Sequence, residues 1–188
     1  MAGIFPNGPA VVNLLISRGA DPNAPVTGGS HSETPLHWAA SSDDVDVAAA
    51  LITGGANIEA TGASIAGGTP LDDAVGYGCW HVARLLVERG ARVERLWHAA
   101  ALGRMSRVEE LLAGHPTPTT QDINDAFWQA CAGGQRRVAE YLLAKGADIN
   151  WIPDYAKDTP LDAAGNLETR RGTLVKWLRG LGAKSGKS

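Results

Sequence analysis

Five times along this chain an apolar helical pattern ends on a Gly-Ala pair: at Gly19-Ala20, Gly55-Ala56, Gly90-Ala91, Gly146-Ala147 and Gly182-Ala183. The run before each pair has helical spacing, as in Val47, Leu51 and Ile52 or Val82, Leu85 and Leu86. A glycine just past the last apolar residue suits a helix end, where the backbone turns into the left-handed region that only glycine reaches cheaply. Self-similarity at this interval constrains the fold more than any single motif, because each copy must be one supersecondary unit that buries its apolar side against the next.

A second marker places the helix starts. Thr-Pro-Leu occurs at residues 34–36, 69–71 and 159–161, each time opening a short alanine-rich run. The threonine hydroxyl can accept a hydrogen bond from a first-turn N–H, and proline is tolerated there because its missing donor would have had no partner. Small residues such as Ala39, Ala40, Ala99, Ala100, Ala130 and Ala164 let this first helix approach its neighbours closely. Two helices per unit follow.

Thr34-Pro35-Leu36-His37-Trp38-Ala39-Ala40 and the stretch from Leu142 to Asn150, Leu-Leu-Ala-Lys-Gly-Ala-Asp-Ile-Asn, closely resemble the opening and closing signatures of the ankyrin repeat family. The resemblance covers nearly the whole chain. It implies an all-α solenoid of helix-turn-helix units with short β-hairpin fingers, whose inner helices and fingers line a concave face. It also gives His37 a structural role at the start of its helix, with Asp72 and Asp162 taking the same place as carboxylates.

On this pattern the chain is read as a single ankyrin-repeat domain, 1–188, with units at about 1–33 (partial), 34–68, 69–95, 96–122, 123–158 and 159–188. The first unit holds only a second helix, so an apolar face is left open and a further repeat is expected upstream. Between Glu94 and Leu96 there is no room for a finger, and Pro116 and Pro118 make the next connection irregular, which predicts a kink in mid-stack. The fingers at 24–33 and 60–68 are long and rich in Gly, Ser and Thr, which predicts mobile tips.

Composition narrows the function. The net charge is −3, against a dedicated nucleic-acid binder, whose affinity would rest on basic residues meeting phosphates. The charge is uneven: residues 1–95 carry five basic and ten acidic residues, residues 96–188 twelve and ten. The two cysteines, Cys79 and Cys131, are far apart and read as free thiols. No stretch resembles a membrane span or secretory signal, so the expected location is cytoplasmic.

The expected function is non-catalytic binding of a protein or peptide on the concave face, with no cofactor and no metal. Trp38 occupies the slot that in this family faces the concave surface, and Asp73, His98 and Gln129 hold equivalent slots. Trp151 stands at the root of a finger with Tyr155 nearby, and the six residues together form the expected partner-binding set. Trp80 and Trp177 fall in core positions, whereas Trp97 and Trp128 take the slot of His37 and face a neighbouring unit. Cys79 and His81 supply nucleophile and base chemistry in principle, but their place at a helix turn favours structure. The histidines are too scattered for zinc.

Two alternatives are carried forward: a small-molecule or enzymatic pocket near the missing finger, built from Trp97, His98, Trp128 and Asp125, and a structural fragment of a larger protein. The tail from Gly182 to Ser188 mimics a phosphate loop but has one residue too few between its glycines and no helix after it, so it reads as a solvated tail. Arg136-Arg137 and Arg170-Arg171 read as solvated helix residues that could form a basic strip.

Overall fold

A computed structural model describes residues 7–27, 32–165 and 172–186. His31, Arg170, Arg171, Lys187 and the finger residues 28–30 lie outside the described residues. The helices run in the order α1 (Gly8–Ser17), α2 (Pro35–Ser41), α3 (Val45–Thr53), α4 (Pro70–Gly76), α5 (Trp80–Glu88), α6 (Leu96–Ala101), α7 (Met105–Ala113), α8 (Thr120–Ala132), α9 (Arg136–Ala144), α10 (Pro160–Gly165) and α11 (Gly172–Gly180). Among them no helix is long and apolar enough to cross a membrane. Among the described residues the architecture is all-α, built of short paired helices. The chain falls into two compact units, Met1–Arg92 and Val93–Ser188, divided where the finger is missing.

In the first unit α2 pairs with α3 and α4 with α5, while α1 packs on α3, α2 on α4 and α3 on α5. Leu36, Leu71, Val75, Val82 and Leu86 are fully buried between these helices, beside alanines 40, 48, 74 and 83. In the second unit α6, α8 and α10 stack in a row, with α7, α9 and α11 paired to them. Phe127, Val108, Val138, Leu142, Leu174 and Leu178 form that core, again with alanine wherever two helices meet.

The threonine starts work as their chemistry predicts. The Thr34 backbone N–H donates to His37 Nδ1 at 3.0 Å, which leaves the imidazole proton on Nε2, 3.4 Å from the carbonyl of Gly68. Asp72 Oδ2 replaces that nitrogen for Thr69 N at 2.7 Å, and Asp162 Oδ2 accepts from the Thr159 hydroxyl at 2.8 Å. A fourth cap, with no Thr-Pro-Leu to announce it, joins Thr119 to Asp122 and starts α8 a full turn earlier than the other first helices.

Three side-chain clasps then tie successive repeats within a unit. Asn23 Oδ1 accepts the Asn57 N–H at 2.6 Å, Glu59 Oε1 accepts that of Arg92 at 2.8 Å, and Asn150 Oδ1 accepts that of Lys184 at 2.8 Å. The separations of 34, 33 and 34 residues state the period directly.

Two local expectations change. Among the described residues the fingers hold no strand and are built from turns, with cross-finger pairs such as Val26 N to Glu33 O at 2.9 Å and Ala63 N to Gly68 O at 3.0 Å. The finger at 60–68 is also not a free tip: Asp73 Oδ1 accepts both the Ile65 N–H at 3.1 Å and the Ser64 hydroxyl at 3.0 Å, pinning its turn to α4.

Candidate functional site

In the first unit the exposed aromatic groups are Trp38 on α2, with 54% of its surface open, and Tyr77 at the end of α4. Trp38 is exposed because Leu36, Ala39 and Ala40 take the buried side of a helix only seven residues long. Tyr77 shares its hydroxyl with Ser64 at 3.0 Å, so the same serine joins Asp73 and Tyr77 to the finger. Asp73 itself is completely buried. Burial pushes its carboxyl above the ordinary range, against hydrogen bonds from Ile65 and Ser64 that pull it down. Expected as a contact, Asp73 instead positions the finger.

In the second unit the finger after α9 folds over the start of α8. Tyr155, 64% exposed, sends its hydroxyl to Asp125 Oδ1 and accepts a hydrogen bond from Gln129 Nε2 at 3.2 Å. Its ring meets Trp128 edge-on, at 6.0 Å between centroids, and the Trp128 indole N–H donates to the carbonyl of Asp158 at 2.8 Å. Burial raises the Asp125 carboxyl pKa, with Tyr155 opposing and Asp122 adding to the rise. Burial also raises the phenol, and Asp125 raises it further.

Trp151, half-buried, and Tyr155 border a groove of about 340 Å³ whose remaining lining includes Asp122, Asp125, Pro153 and Asp154. A larger cleft of about 620 Å³ adjoins it through Thr119, Asp122 and Asp125 and occupies the space near the missing finger. Of the four residues expected to build a small-molecule pocket there, Trp97 and Asp125 line the cleft; His98 and Trp128 do not. His98 is only 2% exposed and meets the Trp97 ring edge-on at 4.0 Å.

The six expected partner-binding residues therefore divide by burial. Trp38, Trp151 and Tyr155 offer surface, whereas Asp73, His98 and Gln129, the last 3% exposed, lie inside the fold. The family resemblance put the slots of Trp38, Asp73, His98 and Gln129 on one face; the fingers that return to Asp73 and Gln129 cover part of it. Gln129 supports Tyr155 as Asp73 supports Ser64. Tyr77, which the inner slots do not include, was missed, and Asp125 was expected only in the small-molecule pocket, not beside Tyr155. Asp125 lies on the extra first turn of α8, and the Thr119 to Asp122 spacing of a capping box was the available signal.

Neither thiol lines either cleft. Cys79 is buried with its Sγ donating to the Ser41 carbonyl at 3.2 Å, and burial raises its pKa to about 11, with Asp43 adding to the rise. Cys131 is completely buried, which pushes its thiol further up. Among the described residues no three His, Cys, Asp or Glu side chains are grouped to hold a metal ion. Trp80 is buried as expected, and Trp177 is half-buried under the Arg136 guanidinium, 5.8 Å from the ring centroid.

A family model for ankyrin repeats in three copies matches residues 1–95. An ankyrin repeat and KH domain-containing protein of Caenorhabditis briggsae is 28% identical over 161 residues, which is 81% of this chain and 6% of that protein. The chain thus spans a small part of the curated relative it matches. Among solved structures, the human ASB11 ankyrin repeat domain aligns at 23% identity and a TM-score of 0.48, covering 96% of this chain and 87% of that one. The ankyrin repeat domain of Bcl-3, described as a unique member of the IkappaB protein family, aligns at 29% identity and a TM-score of 0.46, covering 92% and 77%. Ankyrin repeat domains are protein–protein interaction modules. With the family model matching half of its length and the capped helix pairs repeating through both units, the chain belongs to the ankyrin repeat family.

Proposed function

We propose that this chain captures a protein or peptide without catalysis, through aromatic anchors that its repeats hold out from the first helices and the fingers. The observation that carries this reading is the exposure of Trp38 and Tyr155, whose aromatic rings stand among the exposed large side chains. An aromatic ring offers much contact area for little conformational entropy, and such residues dominate binding hot spots. In each unit a buried polar residue braces the exposed set: Asp73 through Ser64 to Tyr77, and Gln129 directly to Tyr155. Bracing lowers the ordering cost of association.

Under this reading Trp38, Trp151 and Tyr155 make the contacts, while Asp73, His98 and Gln129 set the surface beneath them. A cytoplasmic site of action belongs to the same reading, supported by two cysteines held as unpaired thiols. The test is affinity capture from the native cell with the full chain, comparing wild type with Trp38→Ala and Trp151→Ala at matched helical content. Loss of the same captured protein from both variants is expected; capture that survives the double substitution overturns the assignment.

A further inference from the structure

The groove between the finger after α9 and the start of α8 has a chemistry that selects its occupant. Its walls are the Trp151 and Tyr155 rings and Pro153, and three carboxylates, Asp122, Asp125 and Asp154, line it with no lysine or arginine among the lining residues. Its acidity stands against the background, since residues 96–188 carry a small excess of basic side chains. Among the described residues none of the three carboxylates is ion-paired. Two of them are nevertheless held in place: Asp122 Oδ2 accepts from the Thr119 N–H and hydroxyl at 2.7 and 2.6 Å, and Asp125 from the Tyr155 hydroxyl.

We propose that this groove receives the side chain of an arginine carried by a protein partner. A guanidinium is planar, so it stacks on an aromatic face while its edge donates to carboxylates, and it is more weakly hydrated than an ammonium. The groove offers both partners at once. A volume of about 340 Å³ lies at the small end of ligand sites and suits one side chain rather than a length of chain. Low-dielectric walls around like charges also concentrate the attraction for a cation. Asp125, whose charge burial disfavours, gains most from a cation beside it.

The inference deepens the protein-binding reading and rests on it, naming the partner's chemistry. Its test uses the full chain and three blocked pentapeptides, Gly-Gly-X-Gly-Gly with X as arginine, citrulline or lysine, followed by amide and indole N–H shifts in NMR titrations. The arginine peptide is expected to move the signals of Trp151, Asp154 and Tyr155. Citrulline, which keeps the shape but not the charge, should bind about tenfold more weakly, and lysine should fall between them. Asp125→Asn and Trp151→Ala should each weaken the arginine peptide by a similar factor. Asp154→Asn should weaken it as well, and because that side chain is exposed its loss leaves the fold intact.

Equal affinity for citrulline, shifts that persist in Asp154→Asn and Trp151→Ala, or no shift at millimolar peptide would overturn the proposal. The two readings fail separately. A silent arginine peptide beside partner capture that depends on Trp38 defeats only the groove; a bound arginine peptide beside capture that ignores Trp38 and Trp151 defeats the wider assignment.

Discussion

Asp43, in the turn between α2 and α3, reaches across to His81 at the start of α5 in the next repeat: its Oδ1 accepts the His81 backbone N–H at 3.0 Å, and its Oδ2 lies 2.6 Å from His81 Nδ1. The same Oδ1 accepts the Val82 N–H at 2.9 Å, so one carboxylate satisfies two of the unpaired donors at the start of α5. Asp43 has φ +54°, while the corresponding turns at 78, 103 and 134 use glycine at φ +70° to +72°. An aspartate accepts the left-handed conformation here in exchange for three contacts to the neighbouring repeat.

Asp43 therefore predicts an ordering. Asp43→Gly removes the cap and relieves the backbone, at a cost of about 1 kcal/mol; Asp43→Ala removes the cap and keeps the strain, at about 2 kcal/mol. His81→Ala should cost less than about 0.5 kcal/mol, because its ring is mostly exposed and such pairs are screened. Urea denaturation of the three variants checks the order, and an alanine variant as stable as the glycine one contradicts it.

Gly133 closes α8 where α6 also ends. A β-carbon there would lie 2.1 Å from the carbonyl oxygen of Ala101, which is backbone and cannot turn aside. Gly133→Ala is expected to push α6 and α8 apart and cost about 3 kcal/mol, the upper end for overpacking. Gly146→Ala provides the contrast: its φ is +97° but nothing lies within 4 Å, so only backbone strain of about 1 kcal/mol remains. Thermal unfolding should separate the two, with hydrogen exchange in α6 and α8 altered by the first alone.

Asp162 links the end of the chain to α10. Burial works against its charge, but hydrogen bonds from the Ser185 hydroxyl at 2.6 Å, the Gly186 N–H at 2.7 Å and Thr159 outweigh it and bring the carboxyl to about 2. A carboxyl lowered in the folded state adds stability above its unfolded pKa, and that stability disappears as pH falls from about 4 toward 2. Wild type should lose more stability over this interval than Asp162→Asn. Parallel pH dependences would show that the tail contact contributes nothing.

The thiols should report unfolding rather than chemistry. With Cys79 raised to about 11 and Cys131 inside the second core, neither offers a thiolate at neutral pH. A water-soluble disulfide reagent is expected to leave the folded chain unmodified and to label both cysteines with the kinetics of unfolding as denaturant rises. Rapid labelling of Cys79 in native buffer would contradict its burial under Ser41.

Local chemistry was enough to read the helix pairs, because caps, apolar spacing and glycine stops act within a few residues. Thr34 with His37 and Thr69 with Asp72 close their caps through groups three positions apart. The inner slots of Trp38, Asp73, His98 and Gln129 were legible through the family resemblance, which assigns a face to one position on each first helix. Whether a slot faces solvent is a different matter, since it depends on what folds over it from elsewhere in the chain.

Sequence by itself determined that the chain is a series of two-helix repeats, and where the helices opened by Thr-Pro-Leu begin and those closed by Gly-Ala end. Only the tertiary structure decided that Asp73 lies under its own finger while Trp38 stays open, and that Tyr155 reaches back 30 residues to Asp125 to close an acidic aromatic groove. The physical reason is range. Capping and periodicity are set by neighbours along the chain, whereas burial is set by the finger that returns across a helix, and a finger rich in glycine carries little local signal of where it will land.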